Sequence, residues 1–419
     1  MPLRRRNPKK GLDVDPQWLA ISWEEAFSIL AERLAKIRED DPAKLVWHQG
    51  QGEYLIGDPF PQAFCRAFGT PNLIHRASTC QSARQVAEEL TWGHHGSLPD
   101  IDHCNLLVVF GSNYLEAGQS ARWMDHAVTR ARERGMKIVA VEPRFSHVAA
   151  KADQWIPVRP GKDVVILLAI ARHLIETGQI DGQFLVNCTN APQLVGADGK
   201  LVHDAAGEPL VWDRVARAAT PYRPGVEPAL RGAYALDGVP VRTALEVFAA
   251  TLAELSLEEA AAIAGVAAET IRELAEAIAR EARLGATSVV GGVRRRYRPV
   301  AIHASRGLTA REYGVQSWRA GLLLQMLLGN LDALGGLHPH DVYQQPAHFA
   351  PARCEYPPQR ADLAESVYFP NARHDVCQQV ALSVLDPEAF GLPYRPEMQI
   401  FYASNRPVST SDTATQLRA

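Results

Sequence analysis

Residues 75–84, HRASTCQSAR, place a single cysteine among small residues, directly after the basic pair His75 and Arg76. A cysteine thiolate is a soft ligand that suits transition metals. Most free cysteines are instead buried and behave as small hydrophobic residues. Taken alone, the segment leaves two interpretations of Cys80 open, a metal ligand and a structural thiol.

The other five cysteines lack the spacing of a metal-binding framework. They lie at positions 65, 104, 188, 354 and 377, and no two cysteines of the chain form a C-x-x-C pair. Ordinary zinc and iron–sulfur motifs depend on such closely spaced ligands. We therefore expect no zinc or iron–sulfur motif within this chain, and no disulfide framework.

Small and polar residues follow five predicted strands, at the point where each strand ends. In an open α/β sheet, ligands bind beyond the carboxyl ends of parallel strands, where glycine and serine turns admit phosphate oxygens close to the backbone. Glu142 ends one of these strands, where a carboxylate commonly accepts hydrogen bonds from a ribose diol. The turn after NLLVVF is not G-x-G-x-x-G, so the pattern favours a nucleotide-containing cofactor without indicating NAD. The five segments are HQGQG, FGSNYLE, VEPR, HASRG and ASNRP.

Alternating helix and strand patterns position these turns. Residues 22–39 begin with a capping-box spacing, Ser22 and Glu25, and predict a helix. Residues 105–144 predict a strand, a helix over 119–134 and a second strand, which together form a βαβ unit of a doubly wound sheet. Further helices are predicted over 164–178, on either side of Gly265, and over 317–336. Further strands are predicted within 44–52 and 299–307, each running into a glycine, and over 286–292 and 398–405.

The composition is ordinary for a globular protein, with 419 residues, 47% hydrophobic residues and 22% charged residues. A chain of this length exceeds one hydrophobic core, so we expect two domains. The net charge of −3 gives no reason to expect a nucleic-acid partner. The longest apolar runs, such as 164–171, are too short to span a bilayer, and no apolar stretch follows the basic N-terminus. As written, the sequence predicts a cytoplasmic protein without a transmembrane segment.

Seven segments spread across the chain carry a family resemblance. In this order they resemble the sequence blocks of the molybdopterin oxidoreductases, the dimethyl-sulfoxide-reductase superfamily. Three positions depart from the family pattern: Lys162 replaces Thr, Glu142 replaces Asp, and Arg311 replaces His. The segments are WLAISWEEA, FGSNYLE, VEPRFSHVAAKAD, DQWIPVRPGKD, GLTAREYG, LLGNLDALGG and YASNRPVSTSD.

The resemblance implies an α/β fold with two doubly wound, mostly parallel-sheet domains, one of which is discontinuous and completed after the other. It predicts an N-terminal arm over 1–19, a discontinuous domain over 20–75 plus 299–419, and an inserted domain over 76–298. Family members also carry a cysteine-rich [4Fe–4S] domain before these two domains and a β-rich domain after them, and this chain has no ligands for the cluster. A fragment, a degenerate paralogue and a split subunit are all consistent with that pattern.

The implied cofactor is molybdenum, or tungsten, held by two molybdopterin guanine dinucleotides. Cys80 falls where the family places its protein ligand to the metal, and Arg76 and His75 would offset negative charge from the pterin phosphates or from an oxyanion substrate. Asp163 would accept hydrogen bonds from N1–H and the N2 amine of guanine, or would instead cap the helix that begins at Val164. The remaining candidates are Gly111, Ser112, Asn113 and Glu116 at one pyranopterin, Glu142, Arg144 and Ser146 at the nucleotide, and Arg306, Gly307, Gly314 and Asn405 at the second pterin.

The implied function is two-electron atom transfer that reduces a sulfur or arsenic oxyanion or polysulfide, as in anaerobic respiration. The implied partners are an iron–sulfur electron-transfer subunit and a membrane anchor subunit. The resemblance also allows a periplasmic or membrane-associated location. Nitrate reductase and formate dehydrogenase types are alternatives within the family. A non-catalytic assembly or scaffold subunit is an alternative of another class. A NAD-type dehydrogenase is disfavoured by the turn after NLLVVF.

Overall fold

The computed structural model describes residues 1–11, 13–50, 59–75, 82–94, 96–116, 121–340, 379–410 and 412–419. The chain divides into two compact units. Unit 1 comprises Met1–Ser82 and Tyr343–Ala419, and unit 2 comprises Ala83–Val342. None of the helices in these described ranges is long and apolar enough to cross a membrane.

These units differ from the predicted domain boundaries at two points. Strand Val300–Ala304 pairs in parallel with strand Leu106–Phe110, so the chain from 299 to 342 belongs to unit 2 and not to the discontinuous domain. Strand Leu3–Arg5 pairs with Trp18–Ala20, which leads directly into the first helix, so the predicted arm over 1–19 forms a hairpin of unit 1. The first difference arises because strand pairing between distant segments, not local pattern, decides membership of a unit.

Unit 1 is built on a parallel sheet. Its strand order is Met398–Tyr402, Leu45–Gln49, Leu73–His75. Val46 and Ile74 are fully buried and pack with Val380 and Tyr394. The helices described in this unit are Trp23–Asp40, Pro59–Phe68, Gln379–Leu385, Arg406–Ser409 and Thr413–Arg418, with 3-10 turns at Pro42–Lys44 and Glu388–Phe390.

Unit 2 is built on a four-stranded parallel sheet in the order Val300–Ala304, Leu106–Phe110, Lys137–Val141, Gln154–Ile156. All five residues of each of the first two strands are buried, as expected for a parallel sheet that helices cover on both faces. The helices described here are Ser82–Trp92, Ala121–Glu133, His147–Lys151, Asp163–Glu176, Gly182–Cys188, Ala244–Leu252, Leu257–Ala264, Ala268–Ala282, Arg306–Thr309 and Gly314–Leu327.

Alternate residues of the central strand enter two different cores. Leu106, Val108 and Phe110 pack with the helices Asp163–Glu176, Ala268–Ala282 and Gly314–Leu327 on one face. Leu107 and Val109 pack with Met124 and Val128 of helix Ala121–Glu133 on the other. Helices on both faces of a parallel sheet make a doubly wound α/β unit, and the predicted fold class is confirmed.

Local signals read from the sequence agree with the helix ends. Ser22 caps helix Trp23–Asp40 by accepting from the N–H of Glu25. Gly265 ends helix Leu257–Ala264 with a φ of 73°, a left-handed conformation that glycine adopts without steric cost. The predicted pair of helices around this glycine is therefore confirmed.

Three sets of antiparallel strands in unit 2 contain strands that were not predicted. One comprises Leu194–Val195, Leu210–Asp213, Ala218–Pro221, Ala233–Leu236 and Val239–Thr243. The basic segment that follows the predicted strand 286–292 is itself a strand, Val293–Arg296, which pairs with Thr287–Val290. Strand Leu337–Pro339 pairs with Ser97–Pro99, which completes the strands of unit 2 in the described ranges.

Candidate functional site

The turns after strands Leu106–Phe110 and Val300–Ala304, which are neighbours in the unit 2 sheet, meet in a contact between glycine backbones. The N–H of Gly307 donates to the carbonyl oxygen of Gly111 at 2.9 Å. A Cβ added to Gly111 would lie 2.6 Å from the carbonyl carbon of Gly307, and one added to Gly307 would lie 2.4 Å from the carbonyl oxygen of Gly111. Only glycine fits at either position, and the two turns together present backbone at this edge of the sheet.

Ser112, the next residue of the first turn, lies against a buried histidine. The Ser112 Oγ is 3.2 Å from Nε2 of His303, in the neighbouring strand. His303 is 2% exposed, and its Nδ1 has no hydrogen-bond partner among the described residues. Burial, assisted by the positive charge of Arg84, lowers the pKa of His303 to about 3, so the ring is neutral near neutral pH.

Asn113 and Glu116 form the far part of the same turn. The Asn113 amide donates to the Glu116 carboxylate, which also pairs with His147 and lies 3.8 Å from Nη2 of Arg144. The Oδ1 of Asn113 is buried and has no hydrogen-bond partner in the described ranges. This turn is therefore tied to the loop that follows the next strand, Lys137–Val141.

Glu142 and Ser146 lie in that following loop. Both are buried, and the Ser146 hydroxyl donates to the Glu142 carboxylate. Ser146 also caps the short helix His147–Lys151 by accepting from the N–H of Ala149. Trp155 donates to the carbonyl oxygen of Glu142 at 2.9 Å. The loop is thus fixed on both sides, and the side chain of Arg144 between them is exposed to solvent.

Asp163 is the most deeply buried carboxylate of the predicted site, at 1% exposure. Its Oδ2 accepts from Nη1 of Arg311 at 3.0 Å, whereas its Oδ1 is buried without a hydrogen-bond partner among the described residues. Burial raises the pKa of Asp163, and the charge of Arg311 opposes that rise. The helix begins at Asp163 itself and its N-cap is Lys162, so the predicted alternative, that Asp163 is the N-cap, is wrong.

Arg311 connects Asp163 to the glycine contact. Its second nitrogen, Nη2, donates to the carbonyl oxygen of Gly307. Gly161, two residues before Asp163, leaves space for this side chain, since a Cβ there would lie 3.2 Å from Nη1 of Arg311. Sequence reasoning noted Arg311 only as a departure from the family pattern and did not predict this role.

The residues predicted for the second pterin are divided between the two units. Gly307 contacts Gly111, and Gly314 begins a helix of the same unit, where a Cβ would lie 1.8 Å from the carbonyl oxygen of Thr309. Arg306 is solvent-exposed at the start of helix Arg306–Thr309. Asn405 belongs to unit 1, where it is the N-cap of helix Arg406–Ser409 at the end of strand Met398–Tyr402. The pairing of strand Val300–Ala304 with Leu106–Phe110 carries the turn after it into unit 2.

The predicted catalytic residues are Cys80, Arg76 and His75. Cys80 and Arg76 lie outside the described residues. The backbone of His75 ends strand Leu73–His75, opposite Gln49 of the neighbouring strand.

A buried polar network that sequence reasoning missed begins shortly after this segment. Glu88 is 0% exposed and accepts from Nε of Arg84 at 3.0 Å, from Oγ of Ser97 at 2.6 Å and from Nε1 of Trp318 at 3.0 Å. Arg84 also donates to the carbonyl oxygen of Ala304 at 3.2 Å, at the end of the sheet strand. The network fixes helix Ser82–Trp92 to the edge where the glycines meet. The i, i+4 spacing of Arg84 and Glu88 was the available signal.

Residues 2–406 match the molybdopterin oxidoreductase family. The chain belongs to this family. The resemblance predicted from the seven sequence blocks is confirmed.

Two curated relatives illustrate the extent of the likeness. A sulfite dehydrogenase subunit of Allochromatium vinosum is 31% identical over 94% of this chain and 41% of the relative. The arsenate respiratory reductase molybdopterin-containing subunit of Shewanella sp. is 32% identical over 42% of this chain and 21% of the relative. The chain therefore spans less than half the length of these relatives.

A solved structure supports the fold. Acetylene hydratase from Pelobacter acetylenicus superimposes with a TM-score of 0.66 and 18% sequence identity, over 99% of this chain and 50% of that one. The likeness at this identity concerns the fold alone.

Membership of the family implies a molybdenum–molybdopterin cofactor, and the described residues fit one in two respects. The contact between Gly111 and Gly307 leaves no room for a side chain, so a phosphate or pterin ring could approach backbone there. The buried acceptor oxygens of Asn113 and Asp163 lack protein donors among the described residues, and pterin and guanine rings offer N–H donors. In the described ranges, no group of three His, Cys, Asp or Glu side chains is placed to hold a metal ion.

Proposed function

We propose that this chain forms the pterin-binding core of the catalytic subunit of an oxidoreductase that uses molybdenum, or tungsten, held by two molybdopterin guanine dinucleotides. The observation that carries the proposal is the meeting of residues from three family blocks at one edge of the unit 2 sheet. Gly111 contacts Gly307, and Arg311 joins Gly307 to the buried Asp163. Doubly wound sheets bind nucleotide cofactors at such an edge.

Each strand end of unit 2 contributes a different part of the proposed cofactor site. The turn 111–113 would lie against one pyranopterin and its phosphate, with Glu116 holding the turn to Arg144 and His147. Glu142 and Ser146 would contact the nucleotide ribose, and Arg144, which is exposed, would pair with a phosphate.

The remaining candidates would serve a guanine nucleotide and the second pterin. Asp163 would accept from the Watson–Crick edge of guanine through its unpartnered Oδ1. Arg306, Gly307 and Gly314 in unit 2 and Asn405 in unit 1 would face the second pterin.

The proposed metal ligand is Cys80. Its thiolate suits a metal held by soft sulfur ligands. When bound, the cofactor supplies two-electron chemistry with transfer of an oxygen or sulfur atom. Arg76 and His75 would attract an oxyanion substrate and compensate its charge. Arg84 and Glu88, which are mutually paired and buried, would hold the helix that follows Cys80 in a fixed position.

The proposed substrate class is a sulfur or arsenic oxyanion or polysulfide, reduced by two-electron atom transfer. The support is the names of relatives, which include an arsenate reductase, a thiosulfate reductase and a sulfite dehydrogenase. Since these names include both reductases and a dehydrogenase, assays should follow both directions. We further propose that electrons pass to or from an iron–sulfur partner subunit, with a membrane anchor subunit in the complex.

The decisive experiment is metal and nucleotide analysis of the chain purified with its native partners. We expect molybdenum or tungsten at about one atom per chain, with guanine nucleotide released by acid hydrolysis. In Cys80→Ala the metal should be lost or loosely held, because the thiolate ligand is gone. Cys188→Ala is the matched control, since Cys188 is exposed and lies outside the proposed site.

Purified complexes that assemble normally but contain neither metal nor guanine nucleotide would overturn the proposal and favour a scaffold role. Retention of metal and of arsenate, thiosulfate or sulfite turnover by Cys80→Ala would overturn the assignment of the ligand alone.

A further inference from the structure

The side chain of Arg311 links the turn that contains Gly307 to the start of helix Asp163–Glu176. Its Nη1 donates to Oδ2 of Asp163 at 3.0 Å, and its Nη2 donates to the carbonyl oxygen of Gly307. Gly161 provides the space for it, since a Cβ there would lie 3.2 Å from Nη1. The side chain of Arg311 is 26% exposed, whereas that of Asp163 is 1% exposed. The guanidinium therefore lies between a buried carboxylate and solvent.

The two oxygens of Asp163 have different surroundings. Oδ2 is occupied by Arg311, and Oδ1 is buried with no hydrogen-bond partner among the described residues. A buried acceptor that lacks a donor costs free energy, so it commonly marks a place where water or a ligand donates. The protein therefore holds Oδ2 of Asp163 and leaves Oδ1 available to a hydrogen-bond donor on a ligand.

We infer that Arg311 is a positioning residue for guanine recognition, which keeps the Asp163 carboxylate ionised and holds it by Oδ2 so that Oδ1 accepts from the guanine edge. This inference rests on the proposed function, in which Asp163 binds guanine. The inference adds a role for Arg311, at which this chain departs from the family pattern. Arg311 sets the charge and the orientation of the Asp163 carboxylate.

The charge argument follows from burial. Burial raises the pKa of Asp163, and two cations adjoin it: Arg311, which pairs with it, and Lys162, its exposed neighbour in sequence. An adjacent arginine lowers the pKa of an aspartate by about 1–3 units. Guanine offers donors, N1–H and the N2 amine, so it requires the ionised acid. Without Arg311 the acid would be protonated at a higher pH, and guanine binding would be lost at that higher pH.

The test uses GDP as the probe and the full chain prepared from cells that do not make the pterin cofactor. Equilibrium dialysis measures the dissociation constants of GDP, of IDP, which lacks the N2 amine, and of ADP across pH 5 to 9. We expect a preference for GDP that falls as the pH drops through the pKa of Asp163. In Arg311→Met the midpoint, which is the pH at which half of the GDP preference is lost, should rise by about 1–3 units. Below that pH, the affinity for GDP should fall by about tenfold per pH unit.

Conservative variants separate the charge of Arg311 from a merely structural role. Arg311→Lys keeps a cation and should retain most of the GDP preference with little shift of the midpoint, whereas Arg311→His, the residue common in the family, should lie between Lys and Met. Arg130→Met is the matched control. Arg130 lies on helix Ala121–Glu133, is exposed, and pairs with the exposed Asp102. Its pH profile should coincide with that of the unmodified chain.

The outcomes are distinguishable. If Asp163→Asn abolishes the preference for GDP over IDP but Arg311→Met leaves both the affinity and the midpoint unchanged, the inference about Arg311 is wrong and the guanine site stands. If Asp163→Asn also keeps that preference, the role proposed for Asp163 fails. If Arg311→Met does not fold, an unshifted midpoint in Arg311→His together with full affinity overturns the inference on its own.

Discussion

Gly111 and Gly307 touch backbone to backbone, with the N–H of Gly307 donating to the carbonyl oxygen of Gly111 at 2.9 Å. The two glycines follow adjacent parallel strands, Leu106–Phe110 and Val300–Ala304, whose residues pair in register from Leu106 to Phe110. The close approach of the turns is therefore imposed by the sheet itself. It requires that neither residue carry a Cβ.

Substituting Gly307 tests this steric requirement directly. In Gly307→Ala the new Cβ would lie 2.4 Å from the carbonyl oxygen of Gly111 and 2.6 Å from its Cα, both backbone atoms that cannot rotate away. We expect the free energy of unfolding to fall by about 1–3 kcal/mol, the usual cost of overpacking. Urea denaturation followed by circular dichroism measures the change.

Gly182→Ala is the matched control. A Cβ at Gly182 meets only Cδ2 of Leu230 at 3.6 Å, an ordinary contact, and Gly182 does not adopt a positive φ. This variant should be as stable as the unmodified chain or slightly more stable, because alanine restricts the unfolded chain. Equal destabilisation in the two variants would contradict a specific contact between Gly307 and Gly111.

The second prediction concerns the buried pair of Arg84 and Glu88. In Glu88→Gln, Arg84 would remain buried without its charged partner, although Trp318 and Ser97 would still find an acceptor. Removing one partner of a buried ion pair costs about 3–5 kcal/mol. We expect the midpoint of urea unfolding to fall accordingly, with intrinsic tryptophan fluorescence reporting the change around Trp318.

The exposed pair of Glu32 and Lys36 provides the comparison. Its nitrogen and oxygen are 2.7 Å apart, but the two side chains are 69% and 72% exposed. Glu32→Gln should leave the midpoint unchanged, because solvent screens such a pair. A loss in Glu88→Gln no larger than that in Glu32→Gln would show that the buried network contributes little.

Three of the four strands of the unit 2 sheet could be predicted from the sequence, because each is a short, mostly apolar run followed by a turn, whereas the fourth, Gln154–Ile156, has only three residues. NLLVVF corresponds to strand Leu106–Phe110, and the predicted helix over 119–134 to Ala121–Glu133. Which strands pair could not be predicted, since period and composition carry no information on distant partners. The sequence therefore predicted 299–304 in the discontinuous domain, whereas strand Val300–Ala304 pairs with Leu106–Phe110 in unit 2.

The overlooked hairpins did carry a local signal. Asp237 and Gly238 both have positive φ in the two-residue turn between Leu236 and Val239, as do Gly291 and Gly292 between Val290 and Val293. Asp-Gly and Gly-Gly are typical of such turns. The partners at the site carried no comparable signal. Asp163 and Arg311 are 148 positions apart, and Ser112 and His303 are 191 apart.

The third prediction concerns pH and His303. The pKa of His303 is lowered from 6.5 to about 3, first by burial and then by Arg84. Between these values the unfolded chain binds a proton that the folded chain does not, so stability is full above pH 6.5 and falls as the pH drops. The loss between pH 7 and pH 5 should be about 2 kcal/mol from this residue. Urea unfolding at several pH values measures it.

In His303→Gln the stability should depend less steeply on pH over this range, whatever the loss at neutral pH. Part of the dependence should remain, because burial also lowers the pKa of His48 in unit 1 to about 3. His126→Gln serves as the control, since the His126 side chain is exposed. The same slope of stability against pH in His303→Gln and His126→Gln would show that unfolding is not coupled to protonation of His303.

The fourth prediction concerns thiol reactivity in the two units. Burial raises the pKa of Cys65 in unit 1 and of Cys104 in unit 2 to about 12 in each case, whereas Cys188 is exposed. The thiolate is the reactive form, so at pH 8 only about one in ten thousand of each buried thiol is ionised.

Iodoacetamide at pH 8 should therefore label Cys188 within minutes, and Cys65 and Cys104 only as each unit unfolds. Peptide mass spectrometry over a time course in increasing urea measures both units separately, with Cys188→Ala as the control that removes the fast labelling of the peptide that contains residue 188. Labelling of native Cys65 or Cys104 as fast as that of Cys188 would contradict the burial that the structure assigns to them.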